Sequence, residues 1–201
     1  DDGLFSITSG GVITFSSAPD FETPLGGTGD DSNTYEINVN VNDGTVNVVQ
    51  AHTIAVVDAN DAPVITTTAF TNIAENQAAI GTLGATDADS SDAITFTITG
   101  GNDEDKFVVS GIGGSTLAFN FSPNFESPTD TGTNNVYEVE ITATDNGSGS
   151  LTGVQTVSVT VINANEAPVI TGGATDTASV AENTNAATTV IDVAHSDVDS
   201  G

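Results

Sequence analysis

Apolar side chains recur at every second position over several short stretches of the chain. Ile94, Phe96 and Ile98 alternate with Thr95, Thr97 and Thr99, and Leu117, Phe119 and Phe121 alternate with Ala118 and Asn120. Tyr137, Val139, Ile141 and Ala143 alternate with Glu138, Glu140 and Thr142, and Val157, Val159 and Val161 alternate with Ser158 and Thr160. A period of two sends successive side chains to opposite faces of an extended backbone, so each stretch predicts a strand with one buried face. Apolar stretches at 64–70, 80–85 and 107–109 bring the total to about seven strands. Gly- and Asn-rich turns separate them, such as Gly100-Gly101-Asn102 and Asp145-Asn146-Gly147-Ser148-Gly149. No segment carries a helical period. Short antiparallel strands at this density predict an all-β, immunoglobulin-like Greek-key β-sandwich.

The chain also repeats itself. Ala59-Asn60-Asp61-Ala62-Pro63-Val64-Ile65-Thr66 returns as Ala164-Asn165-Glu166-Ala167-Pro168-Val169-Ile170-Thr171. Pro19-Asp20-Phe21-Glu22 returns as Pro123-Asn124-Phe125-Glu126, and Tyr35-Glu36-Ile37 as Tyr137-Glu138-Val139. Ala74-Glu75-Asn76 returns as Ala181-Glu182-Asn183, and Asp87-Ala88-Asp89-Ser90 as Asp197-Val198-Asp199-Ser200. The common spacing is a little over one hundred residues, the size of one domain. The register predicts the C-terminal part of one repeat at 1–63, a complete repeat at 64–168 and the N-terminal part of a following repeat at 169–201. On this reading the chain is cut from a longer array, and its end pieces are expected to be poorly ordered or to pair with neighbours.

Charge narrows the possible functions. The 201 residues hold 28 acidic side chains against one basic one, Lys106, for a formal net charge of −27. No basic patch for nucleic-acid phosphate or anionic lipid can be assembled from that set. So large a surplus repels itself, which leaves either a disordered acidic segment or carboxylates gathered for a cation. The ordered strand periodicity and the abundance of Val, Ile and Thr favour the cation. Cys is absent, which excludes disulfides and thiolate metal sites, so rigidity in an extracellular setting must come from another source. No run approaches the roughly 18 apolar residues of a membrane span.

The acidic motifs fall on predicted loops, where several oxygens can converge. Calcium takes about six to eight oxygen ligands, drawn from carboxylates, Asn side chains and backbone carbonyls. Asp87-x-Asp89 follows the second strand of the complete repeat, Glu126 sits at a strand corner, Asp145 ends the sixth strand, and Asp58-Ala59-Asn60-Asp61 connects two repeats. Pro63 stiffens entry to the next repeat. Two other calcium motifs fail. An EF-hand loop starting at Asp87 needs Gly at its sixth position and Glu at its twelfth, where this chain has Asp92 and Ile98. Gly26-Gly27-Thr28-Gly29-Asp30-Asp31 is a single copy of a motif that is stable only when stacked, and it reads as a loop.

Together these residues resemble the cadherin repeat. Asp58-Ala59-Asn60-Asp61-Ala62-Pro63 resembles its DxNDNAP linker, Ala74-Glu75-Asn76 its PEN motif, and Pro19-Asp20-Phe21-Glu22 its LDRE motif. Asp87-Ala88-Asp89 resembles its DxD motif and Asp145-Asn146-Gly147 its xDxG motif. The Thr/Asn/Asp-rich, Cys-free style is similar to bacterial cadherin-like repeats of giant secreted adhesins. The resemblance implies cadherin-type sandwiches in tandem, with calcium ions held where successive repeats meet. The first junction would use Asp20, Glu22, Asp58, Asn60, Asp61, Asp87, Asp89 and Asp145. The second would use Glu75, Glu126, Asn163, Asn165, Glu166, Asp197 and Asp199. Here the chain departs from the family pattern, with Asn163 and Glu166 in place of linker aspartates and Asn124 in place of the LDRE aspartate. The second junction is therefore expected to bind fewer or weaker ions.

The resemblance implies an extracellular or cell-surface adhesin segment whose partners are calcium ions and the neighbouring repeats of its own chain. The alternative is a module that itself recognises identical chains or surface polysaccharide; the absence of Trp weakens the sugar option. An enzyme is not expected. His52 and His195 fall in different repeats, no Gly-x-Ser-x-Gly elbow is present, and the glutamates Glu22 and Glu126 recur from repeat to repeat as active sites do not. His52 is expected on the last strand of the first repeat and His195 just before an acidic loop. Phe21 and Phe125 are expected to plug the sandwich corners.

Overall fold

The computed structural model describes residues 1–26, 32–171, 177–186, 189 and 191–199. The single Gly-rich calcium-like motif at 26–31 lies almost wholly outside the described residues. The strands are β1 (Phe5–Ile7), β2 (Ile13–Phe15), β3 (Thr34–Asn42), β4 (Asn47–Ala55), β5 (Val64–Ile65), β6 (Ala69–Ala74), β7 (Ala79–Thr82) and β8 (Ala85–Thr86). They continue with β9 (Thr95–Gly100), β10 (Phe107–Ser110), β11 (Thr116–Phe119), β12 (Val136–Thr144), β13 (Thr152–Ile162), β14 (Val169–Ile170) and β15 (His195–Ser196). The helical content described is three 3₁₀ turns of three residues each.

Contacts divide the chain into two compact units. The first comprises 1–64 with the loop segments 86–94 and 144–153; the second comprises 65–85, 95–143 and 154–201.

The second unit contains the sandwich. One sheet has the order β6-β13-β12-β9 and the other β10-β11-β7. The alternating residues supply its core: Leu117, Tyr137, Val139, Ile141, Ala143, Val157 and Val159 are fully buried. Tyr137 meets Phe119 and Phe107 of the opposite sheet edge-on, with ring centroids 5.1 and 6.4 Å apart. The Tyr137 hydroxyl accepts the Thr129 amide at 3.3 Å, so the polar end of the ring is satisfied. Ile141→Val would remove one methyl from the centre of this layer and is expected to cost roughly 0.5–1.5 kcal/mol. A lowered urea midpoint with an unchanged slope would report it.

The pairing departs from the sequence expectation in one respect. The strands were expected to be antiparallel throughout, yet β6 pairs with β13 in parallel, through Phe70 opposite Val159 and Ile73 opposite Val161. A module whose chain enters at one end and leaves at the other must run its first and last strands in the same direction. Where those two strands are neighbours, parallel pairing follows. The expected strand at 64–70 is likewise two, β5 and β6, because Thr66 and Thr67 both turn their amides to the Gly84 carbonyl. Gly101 is needed where it lies: its φ is +108°, and a side chain there would strike the backbone of Val139.

The first unit repeats these local structures. β1 and β2 pair Phe5 opposite Phe15, as β10 and β11 pair Phe107 opposite Phe119. Phe5 and Phe15 pack on Tyr35 as their counterparts pack on Tyr137. Asp1 Oδ2 accepts the Glu36 amide at 3.0 Å, and Asp103 Oδ2 accepts the Glu138 amide at 2.9 Å. Asn33 and Asn135 donate their side-chain amides to the carbonyls of half-buried Phe21 and Phe125. β3 and β4 form a nine-pair antiparallel ribbon, with His52 exposed on β4 opposite Ile37.

Candidate metal centre

Among the described residues two acidic clusters stand out, one in each unit. In the first unit, carboxylate oxygens of Glu22, Asp58 and Asp89 lie within 4.8 Å of one another. In the second, those of Glu75, Glu126 and Glu166 do the same.

The loops that hold them are built by the same chemistry. In the first, Asp87 Oδ1 accepts the Asp89 amide at 3.1 Å, and Asp89 Oδ2 accepts the Asp61 amide at 2.7 Å. In the second, Asp197 Oδ1 accepts the Asp199 amide at 3.0 Å, and Asp199 Oδ2 accepts the Glu166 amide at 2.6 Å. Each Asp-x-Asp motif thus folds on itself and then grips the connector. Buried Asp145 is held by the Gly147 amide at one oxygen and by the Asn60 side-chain amide at the other.

Glu75 is 3 % exposed, with Oε1 accepting the Ala164 amide at 2.9 Å and Oε2 the Phe125 amide at 2.8 Å. Asn163 donates to Glu126 Oε1 at 2.8 Å, and Asn165 donates to the Glu166 carbonyl. Asp20 has a local job: its Oδ1 accepts the amides of Glu22 and Thr23, which makes it a turn former. Thr23 is the main reason its carboxyl titrates below the ordinary value. Asn124 takes the same role with the Ser127 amide, so the turn survives the change from aspartate.

The crowding is visible in the acid strengths. Burial, then the carboxylates of Asp145, Asp89, Asp87 and Asp58, raise Asp92 above the ordinary value. Burial also raises Glu166; the Asn76 side chain pulls it down, and Glu75, Asp199 and Glu126 push it further up. At Glu22 its own backbone amide lowers the value, but burial and the charges of Asp58, Asp61 and Asp89 together outweigh it.

The residues fit a hard divalent cation. Every donor is oxygen, and among the described residues four carboxylate oxygens at these loops are buried without a hydrogen-bond partner: Asp87 Oδ2, Asp92 Oδ2, Glu166 Oε2 and Asp199 Oδ1. Leaving an anionic oxygen buried with no donor is costly, and a cation removes that cost. Glu22, Asp58, Asn60, Asp89 and Asp92 line one open cleft.

Two participants were absent from the expected ligand sets. Asn76, beside Glu75, donates to Glu166 Oε1 at 2.5 Å. Asp92 lies three residues beyond Asp89 in the same loop; its acidity was the available signal, but it belongs to no motif.

Residues 69–162 match the cadherin domain family. No curated protein sequence matches the chain. Among solved structures the chain is similar to human CDH23 EC21-23, at 18 % identity and TM-score 0.58, covering 98 % of this chain and 62 % of that one. It is similar to protocadherin gammaB7 EC3-6 at 19 % identity and TM-score 0.59, covering 100 % and 51 %. Drosophila N-cadherin EC1-4 is similar at 16 % identity and TM-score 0.55, covering 98 % and 48 %. The chain therefore spans about half to three-fifths of the length of these solved chains. The match over residues 69–162 and these likenesses make the chain cadherin-like, with the all-β immunoglobulin-like fold of cadherin extracellular repeats.

Proposed function

We propose that the chain is a calcium-dependent, non-enzymatic segment of an extracellular or cell-surface adhesin of the bacterial cadherin-like type. Its repeats are 1–63, 64–168 and 169–201, and the two acidic clusters are calcium sites at the seams between them. The observation that carries this is the duplicated loop, Asp61 on Asp89 and Glu166 on Asp199, with buried carboxylate oxygens left unpartnered in both copies.

Carboxylates about 4–6 Å apart repel by around 1 kcal/mol per pair even when well screened, so a connector without metal is free to flex. Calcium supplies the opposite charge and draws consecutive sandwiches into a stiff stalk. The chain's own residues supply a prepared frame. Glu75 and Asp145 are fixed by backbone and amide donors before any ion arrives. The second cluster binds more weakly, because Asn163 and Asn76 already donate to Glu126 and Glu166.

Adhesion between identical chains is the second reading. It is favoured by the likeness to protocadherin gammaB7 EC3-6, whose structure is described as a cis-dimer. Among the described residues no helix is long and apolar enough to cross a membrane.

Small-angle scattering of the chain with calcium and with a chelator tests the proposal. The maximum dimension is expected to become better defined with calcium, and Asp61→Ala is expected to reduce that response. Identical profiles in both conditions would end the proposal.

A further inference from the structure

Loop 87–92 carries one carboxylate more than the cadherin motifs account for. Asp92 closes this loop by donating its amide to the Asp89 carbonyl at 2.9 Å. The loop is held again by the next residue, whose Ala93 amide reaches Asn146 Oδ1 at 2.7 Å. Asp92 Oδ2 is thereby buried, with no hydrogen-bond partner. Asn60 comes to the same place from the connector. Its Nδ2 donates to Asp145 Oδ2, which turns its own Oδ1 the other way.

Gly147 shows where these two oxygens go. A side-chain carbon built on Gly147 would overlap both Asn60 Oδ1 and Asp92 Oδ2. The two oxygens therefore converge over one bare stretch of backbone, within 4 Å of each other. Both are acceptors, and Asp92 Oδ2 has no donor to share with its neighbour. Two acceptors this close repel unless a positive charge lies between them, and two oxygens each about 2.3–2.6 Å from one calcium can lie within that limit of each other.

We infer that the Asp92 carboxylate, together with the Asn60 side-chain oxygen, ligates one divalent cation of the first cluster, and that position 147 is glycine so that they can meet. The inference rests on the first cluster's being a calcium site. Asp92 adds a full negative charge to the ligand set, and ligand charge count is one of the quantities that sets calcium affinity.

Calcium titration by calorimetry of the full 201-residue chain tests it, comparing the parent with Asp92→Asn, Gly147→Ala and Asp89→Asn. Asp92→Asn is expected to weaken the first cluster by on the order of tenfold or more, and Gly147→Ala to do likewise by pushing the oxygens apart. Thermal unfolding separates ligation from a merely structural role. Asp92→Asn should melt at or above the parent in chelator, because a repelled charge is gone, and below it in calcium. Unchanged calcium binding by Asp92→Asn alongside lost binding by Asp89→Asn would overturn the inference and leave the calcium site intact. A lowered melting point in chelator would overturn it too. A parent chain that binds no calcium would remove the calcium reading itself.

Discussion

Calcium added to the metal-free chain is expected to stabilise it by about 2.7 kcal/mol per occupied site when free ion exceeds the dissociation constant a hundredfold. With both clusters filled the gain is roughly twice that, a large share of the 5–15 kcal/mol typical of a folded domain. Differential scanning calorimetry at fixed pH checks it, and a melting temperature indifferent to calcium would rule the gain out. The pH dependence gives a second, sharper signature. Without metal, Glu22, Asp92 and Glu166 titrate above their ordinary values of 4.5 for Glu and 3.8 for Asp. The native state then takes up protons before the unfolded state does. Metal-free stability should therefore rise as pH falls from the raised values to the ordinary ones, with no further gain below them. Asp20 and Asp43 work the other way, their lowered values removing stability as pH falls below 3.8. With calcium the first slope should reverse, because protons compete with the ion for the same oxygens. Parallel pH profiles with and without calcium would contradict the shared-oxygen picture.

Glu75→Ala is expected to be the most damaging single substitution at the clusters. The carboxylate is buried, and it satisfies the Phe125 and Ala164 amides at once. Each stranded amide costs about 1–3 kcal/mol, so the variant should lose roughly 2–6 kcal/mol even without calcium. Glu75→Gln keeps one acceptor and should fall between variant and parent. Urea unfolding in chelator measures both, and a loss below about 0.5 kcal/mol, as for an ordinary surface substitution, would show that the side chain is not holding the loop. Calcium binding at the second cluster should disappear in Glu75→Ala while the first cluster keeps its own.

Much of the fold was legible in the chain because the signals are local. Alternation at 137–143 and 157–161 puts apolar side chains on one face whatever their neighbours are, and those residues form the core. The repeats were legible where whole motifs recur, as at 59–66 and 164–171. Their weaker part was not. Asp1 and Asp103 share a hydrogen-bond role, and Phe5-Phe15-Tyr35 mirrors Phe107-Phe119-Tyr137, but these residues are scattered along the sequence and no short match reveals them.

Residue type and spacing by themselves determined the strand period, the repeat and the supply of carboxylates on loops. Tertiary structure decided which of those carboxylates meet. Asp20 and Asp87 sit in equally acidic motifs, yet Asp20 Oδ1 is spent on the Glu22 and Thr23 amides while Asp87 Oδ2 is left buried and unpartnered. Asp92 belongs to no motif, and it reaches the Asn60 oxygen because Gly147 leaves room. The parallel β6–β13 pair likewise depends on which strands become neighbours. Periodicity fixes the face a side chain occupies, whereas its partners depend on segments up to ninety residues away, and those are set only when the chain closes.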